Sequence, residues 1–321
     1  MGRKLINDLI KKDIASVTIA VFVISILLTM VTEGFTSAFN LDSLGRTIAI
    51  TAIVGFSQLM VLSIGQFNLA LGSMAGVTGM FTAALMEKYA IPVLLALIIG
   101  ALIGMILGYI QGLLIVKTGI NPFIITLSLA SIYLGIATVA TKSEMYSNLP
   151  AGFRAIGKAS VFHVPILFLI TLGVAVILSV FMYRLPIGRQ ILATGASERA
   201  AYFSGIKTSG IILTAHSISG LLAGMAGILQ VARLGSAQLS VGQDWMLVSF
   251  AAPVLGATIL SGGKVSVSGA ILGAMLMSIM INGLVLLNIN SNWFQAFLGV
   301  MLLAAFQVDR LRLSFVMQKK I

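Results

Sequence analysis

Val164-Pro-Ile-Leu-Phe-Leu-Ile-Thr-Leu-Gly-Val-Ala-Val-Ile-Leu-Ser-Val-Phe-Met-Tyr183 holds no charge, and beyond Arg184 the chain changes character to Leu185-Pro-Ile-Gly-Arg-Gln-Ile-Leu-Ala-Thr-Gly-Ala-Ser-Glu-Arg-Ala-Ala-Tyr-Phe-Ser-Gly-Ile206. A hydrocarbon core of about 30 Å is crossed by roughly 20 helical residues, so the first stretch fits one crossing. The second carries charges and helix breakers and has to lie outside the lipid. Pro186 and Gly188 read as the end of the preceding helix. Ser197 is placed to cap a new short helix, Glu198 suits the positive end of its dipole, and Gly205 stops it. That helix would line up Ala200, Phe203 and Ile206 along one side, with Tyr202 beside them.

Apolar runs of the first kind recur along the whole chain. They are Ala15–Val31, Thr47–Ile64, Ser73–Met86, Ile91–Val116, Pro122–Thr141, Val164–Tyr183, Ile211–Ala232, Met246–Leu260, Val265–Leu287 and Trp293–Val308. The expected fold is therefore an all-α integral membrane protein of about ten transmembrane helices, forming one transmembrane domain over residues 1–321 with an inner segment at about 184–207. Two of the runs are short and Gly-rich at their edges, which predicts broken or tilted helices. The first run follows a basic stretch but lacks a small-residue cleavage site, so it reads as an uncleaved first helix. With the N-terminus in the cytoplasm, ten crossings place both termini there. The outer segments then hold only Arg46, Lys88, Lys142, Arg154, Lys158 and Arg233 of the 20 basic residues, the bias expected of a positive inside.

Composition agrees. Hydrophobic residues make up 59% of the 321 and charged residues 9%, against about 25% charged in soluble domains. The net charge of +11 comes from basic residues flanking apolar runs, not from a basic patch interleaved with aromatics, so no nucleic-acid partner is expected. There are no cysteines, the 2 histidines (His163 and His216) lie far apart, and the 9 carboxylates are scattered. No thiolate chemistry, convergent metal site or nucleotide cradle follows from such a set. No catalytic residue, metal ligand or cofactor is expected on this chain.

The inner segment carries a resemblance. Gly188-Arg189, Ala193-Thr-Gly195-Ala-Ser197 and Ala200-Ala201-Tyr-Phe203-Ser-Gly205-Ile resemble the coupling-helix region of the permeases of ribose-type carbohydrate ABC importers, in the branched-chain amino acid/ribose permease superfamily. Ala232-Arg-Leu-Gly-Ser-Ala-Gln238, Ser261-Gly-Gly-Lys264, Gly269-Ala-Ile-Leu-Gly273, Asn282-Gly-Leu284 and Asn121-Pro-Phe123-Ile-Ile-Thr126 follow in the same order and spacing, so the likeness runs from about residue 15 to 310. It implies a type II importer-like permease whose coupling helix includes Gly188, Arg189, Gly195, Ser197, Glu198, Ala200, Ala201, Phe203 and Gly205. It also implies a cytoplasmic ATP-binding subunit, a periplasmic or lipid-anchored solute-binding protein, and a second permease copy in a homo- or heterodimer. The setting is the bacterial cytoplasmic membrane.

The sequence departs from that pattern at Gly65-Gln66-Phe67-Asn68-Leu69-Ala70-Leu71-Gly72-Ser73, where the family's usual acid is Asn68 and one glycine is Gln66. A second carboxylate is missing at Trp245-Met246-Leu247, and Pro253 interrupts the following Ala-Ala run.

Polar residues within the runs require partners or a water-filled path. Gln58, Gln66, Asn68, Thr126, Ser128, Ser131, Ser217, Ser219, Gln230, Ser249 and Asn282 are such residues, and each could equally bridge neighbouring helices. Gln66, Asn68, Asn121, Phe123, Thr126 and Asn282 are the expected translocation-path residues; His216 is expected to pack or to bond a carbonyl. All acids fall in assigned loops or tails. An ion-coupled carrier would want intramembrane acids or broken-helix ion sites, so the reading favours an externally powered permease over a secondary carrier. A membrane enzyme would need clustered acids, histidines or a nucleophile. The expected solute is a neutral, ribose-like sugar, with a nucleoside or sugar-like signal molecule as the alternative.

Overall fold

The computed structural model describes residues 2–256, 258, 262–290, 293–300, 303 and 307, with side chains described from residue 14 onward. Its helices are α1 (Gly2–Val31), α2 (Ala38–Leu62), α3 (Leu71–Glu87), α4 (Val93–Thr118), α5 (Pro122–Thr141) and α6 (Ala151–Lys158). After a two-stranded hairpin come α7 (Ile166–Arg184), α8 (Pro186–Ala196), α9 (Glu198–Phe203), α10 (Thr208–Leu234), α11 (Trp245–Leu255) and α12 (Val267–Leu286). Seven of these (α1, α2, α4, α5, α7, α10 and α12) are long and apolar enough to cross a bilayer. The expected spans at Ser73–Met86 and Met246–Leu260 correspond to shorter helices. α3 has 17 residues and α11 has 11, about 26 and 17 Å of helix. Residues 293–300 are helical, and the rest of the tenth expected run lies largely outside the described residues.

α10 is the hub, packed against α4, α3 and α2. Small residues allow the approach. Gly100, Gly104, Gly108 and Gly112 fall four apart on one face of α4, where any side chain would collide with α10 or α3. Gly104 and Gly108 lie on the backbone of Gly220, while Gly227 lies on the backbone of Ala75 in α3. In lipid there is little hydrophobic drive between helices, so such backbone-to-backbone contact supplies the dispersion that holds them. The opposite face of α4 turns Leu94, Ile98, Leu102 and Ile106 outward. α2 is the other extreme and is buried from Ala52 to Leu62. Helices that are apolar all round but sit centrally need this mixture of small and neutral polar groups.

The expected cap at Ser197 forms, its Oγ accepting from the Ala200 N–H at 3.2 Å. Asn121, expected in the path, caps α5: its Oδ1 accepts from the Phe123 N–H at 2.9 Å, with Pro122 at the helix start. The Pro186–Gly188 expectation holds in part. α7 does end just before Pro186, at Arg184 with Leu185 extended, but Pro186 also opens α8, since its fixed φ suits a first helical position. Gly188 lets α8 fold back against the Phe181 and Met182 backbone of α7. Asp42 also leaves its expected loop. It lies in the second turn of α2 and pairs with Arg46 at 2.7 Å.

The two ends of the bundle differ. One carries α6 and the hairpin of Ser160–Val161 with Val164–Pro165. There Arg46 donates to the Gly157 and Lys158 carbonyls, fastening the end of α6 to α2. Lys88 bonds Glu144 at 2.6 Å, and this ammonium holds the Glu144 carboxyl below its ordinary range. The other end carries α8 and α9.

Candidate functional site

Between α2 and α3 the chain leaves the helix at Ser63 and runs as irregular backbone to Ala70. Non-helical backbone at this depth needs a bond for each polar group; here the Gly65 and Gln66 N–H groups return to the Leu62 and Val61 carbonyls, and a side chain of the segment supplies another. Asn68 Oδ1 accepts from the Ala70 N–H at 3.0 Å, closing a local turn. Asn68 Nδ2 donates to Ser219 Oγ at 3.1 Å, Ser219 and Ser57 hydroxyls lie 3.1 Å apart, and Ser57 donates to the Ser219 carbonyl at 2.7 Å. One turn along α10, His216 Nε2 donates to Gln66 Oε1 at 2.8 Å while its Nδ1 accepts from Gln111 Nε2 at 2.7 Å. Those partners define a neutral imidazole with the proton on Nε2. Two hydrogen-bond chains thus tie the irregular segment to α10, and through it to α2 and α4.

Gln66 and Asn68 are therefore brought together, as the helix break predicted, but both are committed to protein partners, and Asn68 is fully buried. Asn121, Phe123 and Thr126 stand apart on the first turns of α5. Asn121 caps, Phe123 is half exposed, and the buried Thr126 hydroxyl donates to the Phe123 carbonyl at 3.2 Å. Asn282 lies elsewhere again. It exchanges amide bonds of 2.8 and 3.0 Å with Asn40, near the start of α2 and roughly 30 Å along that helix from Gln66. Gln111 escaped the sequence reading, although its place three residues after Gly108 and one before Gly112 puts it on the face of α4 that meets α10. His216 bonds two side-chain amides, not a backbone carbonyl.

Removing the Asn68 amide would break two of these links at once. Asn68→Ala is expected to destabilise the folded protein by about 1–3 kcal/mol, the cost of orphaning buried polar groups. A thermal melt of the detergent-solubilised protein reads this, and an unchanged midpoint would return Asn68 to the free surface of a path.

The end of the bundle that carries α8 and α9 sits directly against this segment. Gly195 of α8 lies on the Ser63 carbonyl and near the Gly263 N–H, which donates to that same carbonyl at 3.0 Å. Gly262 and Gly263 take φ of +87° and +78°, and Gly262 packs on Gly65 and the Gly195 carbonyl. α9 extends from this base, with Tyr202 and Phe203 exposed and edge-to-face at 5.8 Å. Ala201 is its buried anchor. Glu198 is in its first turn, Arg189 and Ala200 are exposed, and Gly205 takes φ of +84°. Ile206 corrects the expected apolar stripe. It lies beyond α9, half-buried, with its N–H donating to the Ala201 carbonyl at 3.1 Å.

Among the described residues the buried polar side chains are amides, hydroxyls and one imidazole, with no acid and no Lys or Arg, and no group of three metal-ligating side chains occurs. A multi-pass helical membrane protein with such an interior has the make-up of a permease. A family model described as the permease component of the branched-chain amino acid transport system matches residues 40–306, and the chain belongs to this permease family. It is 33% identical over 294 residues to the ribose import permease protein RbsC of Bacillus subtilis, covering 91% of each chain. It is 31% identical to the D-allose transport system permease protein AlsC of Escherichia coli, covering 91% of this chain and 90% of that one. The fructose import permease protein FrcC of Rhizobium meliloti is 28% identical, over 92% of this chain and 85% of its own. No solved structure matches the chain.

Proposed function

We propose that this chain is the membrane permease subunit of an ATP-binding-cassette importer that carries a neutral, ribose-like sugar across the bacterial cytoplasmic membrane. ATP is hydrolysed on a separate cytoplasmic subunit, and a periplasmic or lipid-anchored solute-binding protein delivers the sugar. The ribose, D-allose and fructose permeases among its relatives support a monosaccharide. In this reading α3, α11 and the helix at 293–300 complete ten crossings, both termini are cytoplasmic, and a second permease copy pairs with this one.

One observation carries the proposal. The exposed aromatic pair on α9 stands on a base that runs without a gap through α8 and Gly195 to Ser63, at the start of the segment holding Gln66 and Asn68. A partner gripping α9 in helix-in-groove fashion would act on the intramembrane hydrogen-bond chains through contacts only a few residues long. Closure of the ATP-binding subunits then biases the protein between inward- and outward-facing states, a population shift driven by differential binding. α6 and the hairpin tipped by the exposed Phe162 offer the opposite end to the solute-binding protein.

Phe203→Asp tests the docking. Assembly with the ATP-binding subunit and sugar uptake into proteoliposomes are both expected to fall at least about tenfold, the loss of roughly one buried aromatic anchor, while the isolated permease keeps its melting midpoint. Unchanged assembly and uptake would overturn the docking role of α9. Competition of labelled ribose uptake by unlabelled sugars and nucleosides ranks the solute classes.

A further inference from the structure

Gln58 is the fully buried amide among the described residues with neither end engaged. It is fully buried in the middle of α2, yet both its Nε2 and its Oε1 lack a hydrogen-bond partner. The other fully or nearly fully buried amides each have at least one bond: Gln111 to His216 through its Nε2, Asn68 to Ser219, and Asn40 to Asn282; of Gln111 only the Oε1 is unpaired. Packing therefore does not explain Gln58. A leucine there would fill the same space without leaving polar groups unbonded.

Its position on α2 tells what it faces. Gly55, three residues earlier and on the same side of the helix, lies close against Ala252 and Pro253 of α11. Thr51, one turn before Gly55, is half-buried, and its hydroxyl has no hydrogen bond among the described residues. Across the seam, Pro253 inside α11 has no N–H to give, so the Ser249 carbonyl loses its helical donor. The seam between α2 and α11 thus holds an amide and a backbone carbonyl, both neutral and neither fully used, with the Thr51 hydroxyl about 10 Å further along α2. α11 is the short element, 11 residues long, and its proline makes it the helix of this pair that bends most easily.

We propose that Gln58 is a solute-contacting, specificity-determining residue. The α2–α11 seam parts during the transport cycle, and the Gln58 amide presents a donor and an acceptor side by side to adjacent hydroxyls of a neutral polyol, with the Ser249 carbonyl on the facing helix. A site made of uncharged groups grips a sugar weakly enough to release it, and it discriminates by leaving its own polar groups unpaired against a deoxy analogue. This inference rests on the sugar-importer reading and names the residue that reads the sugar.

The test is Gln58→Leu in the full importer, with solute-binding protein and ATP-binding subunits, reconstituted in proteoliposomes. The KM for sugar uptake is expected to rise about tenfold or more, one good hydrogen bond lost, and the preference for the parent sugar over its deoxy analogues is expected to collapse. The melting midpoint of the complex stays level or rises, since two unbonded groups are removed. Gln58→Asn, which keeps the amide on a shorter stem, recovers part of the selectivity. Wild-type uptake with an unchanged KM and selectivity in the leucine variant overturns this inference alone. So does a fall in Vmax or melting midpoint without a change in selectivity, which assigns Gln58 to gating or folding. Absence of sugar uptake by the wild-type importer overturns the proposed function and this inference with it.

Discussion

Gly220→Leu is expected to abolish recovery of folded protein. Gly220 sits where α10 crosses α4, against the backbone of Gly104 and Gly108, so a side chain at this point meets main chain on the facing helix and cannot be relieved by a rotamer change. Overpacking an ordinary core costs about 1–3 kcal/mol because side chains give way; here whole helices have to move apart, and the cost is expected to exceed that range. α10 also holds α3 and α2, so the damage spreads from one interface to three. The yield of monodisperse protein in detergent and its melting midpoint measure the effect. Gly173→Leu on the lipid-facing side of α7, where no atom lies within 4 Å, is the control and is expected to behave as wild type. Equal yields for the two variants would sink the argument.

Gly195→Val is expected to have the second largest effect, and a different one. Its Cβ would land on the Ser63 carbonyl, which already accepts from the Gly263 N–H. The substitution pries α8 from the base of the bundle without touching the α4–α10 core. Overpacking of about 1–3 kcal/mol shifts the balance between two conformers roughly 5- to 150-fold. The proposed importer should therefore still assemble while ATP hydrolysis no longer drives sugar movement. Uptake per ATP hydrolysed is the quantity to measure. A normal ratio would mean that α8 does not transmit force to the Ser63–Ala70 segment.

Much of the architecture is legible in local sequence because its causes are local. Seven of the apolar runs emerge as helices of spanning length. The cap at Ser197, the acidic first turn at Glu198 and the left-handed Gly205 all follow from chemistry within a few residues. α8 was not legible, because Pro186 serves equally as a helix terminator and a first helical residue, and only the return of Gly188 onto α7 shows that here it is both. The site divides the same way. The helix break at Gln66 and Asn68 could be read from glycines and neutral amides in an apolar setting. Their partners could not, since Ser219 is 151 residues away along the chain. Asn282, grouped with them by polarity alone, answers to Asn40 at the far end of α2. Gln111 carried a readable signal in its spacing from the glycines of α4, whereas the meaning of His216 depended on which helices met it.

The irregular stretch from Ser63 to Ala70 has a consequence for how the protein is made. When α2 and α3 leave the ribosome, the α10 partners of the Gln66 and Asn68 side chains do not yet exist. α3, at 17 residues, is at the lower limit of a spanning length. Its place in the bundle is expected to settle only when residues 208–234 arrive and supply Ser219 and His216. The centre of this chain is thus expected to assemble later than its own helices are made. Nascent chains arrested before His216 should leave the α3 region open to labelling from the water phase, and chains released after Leu234 should close it.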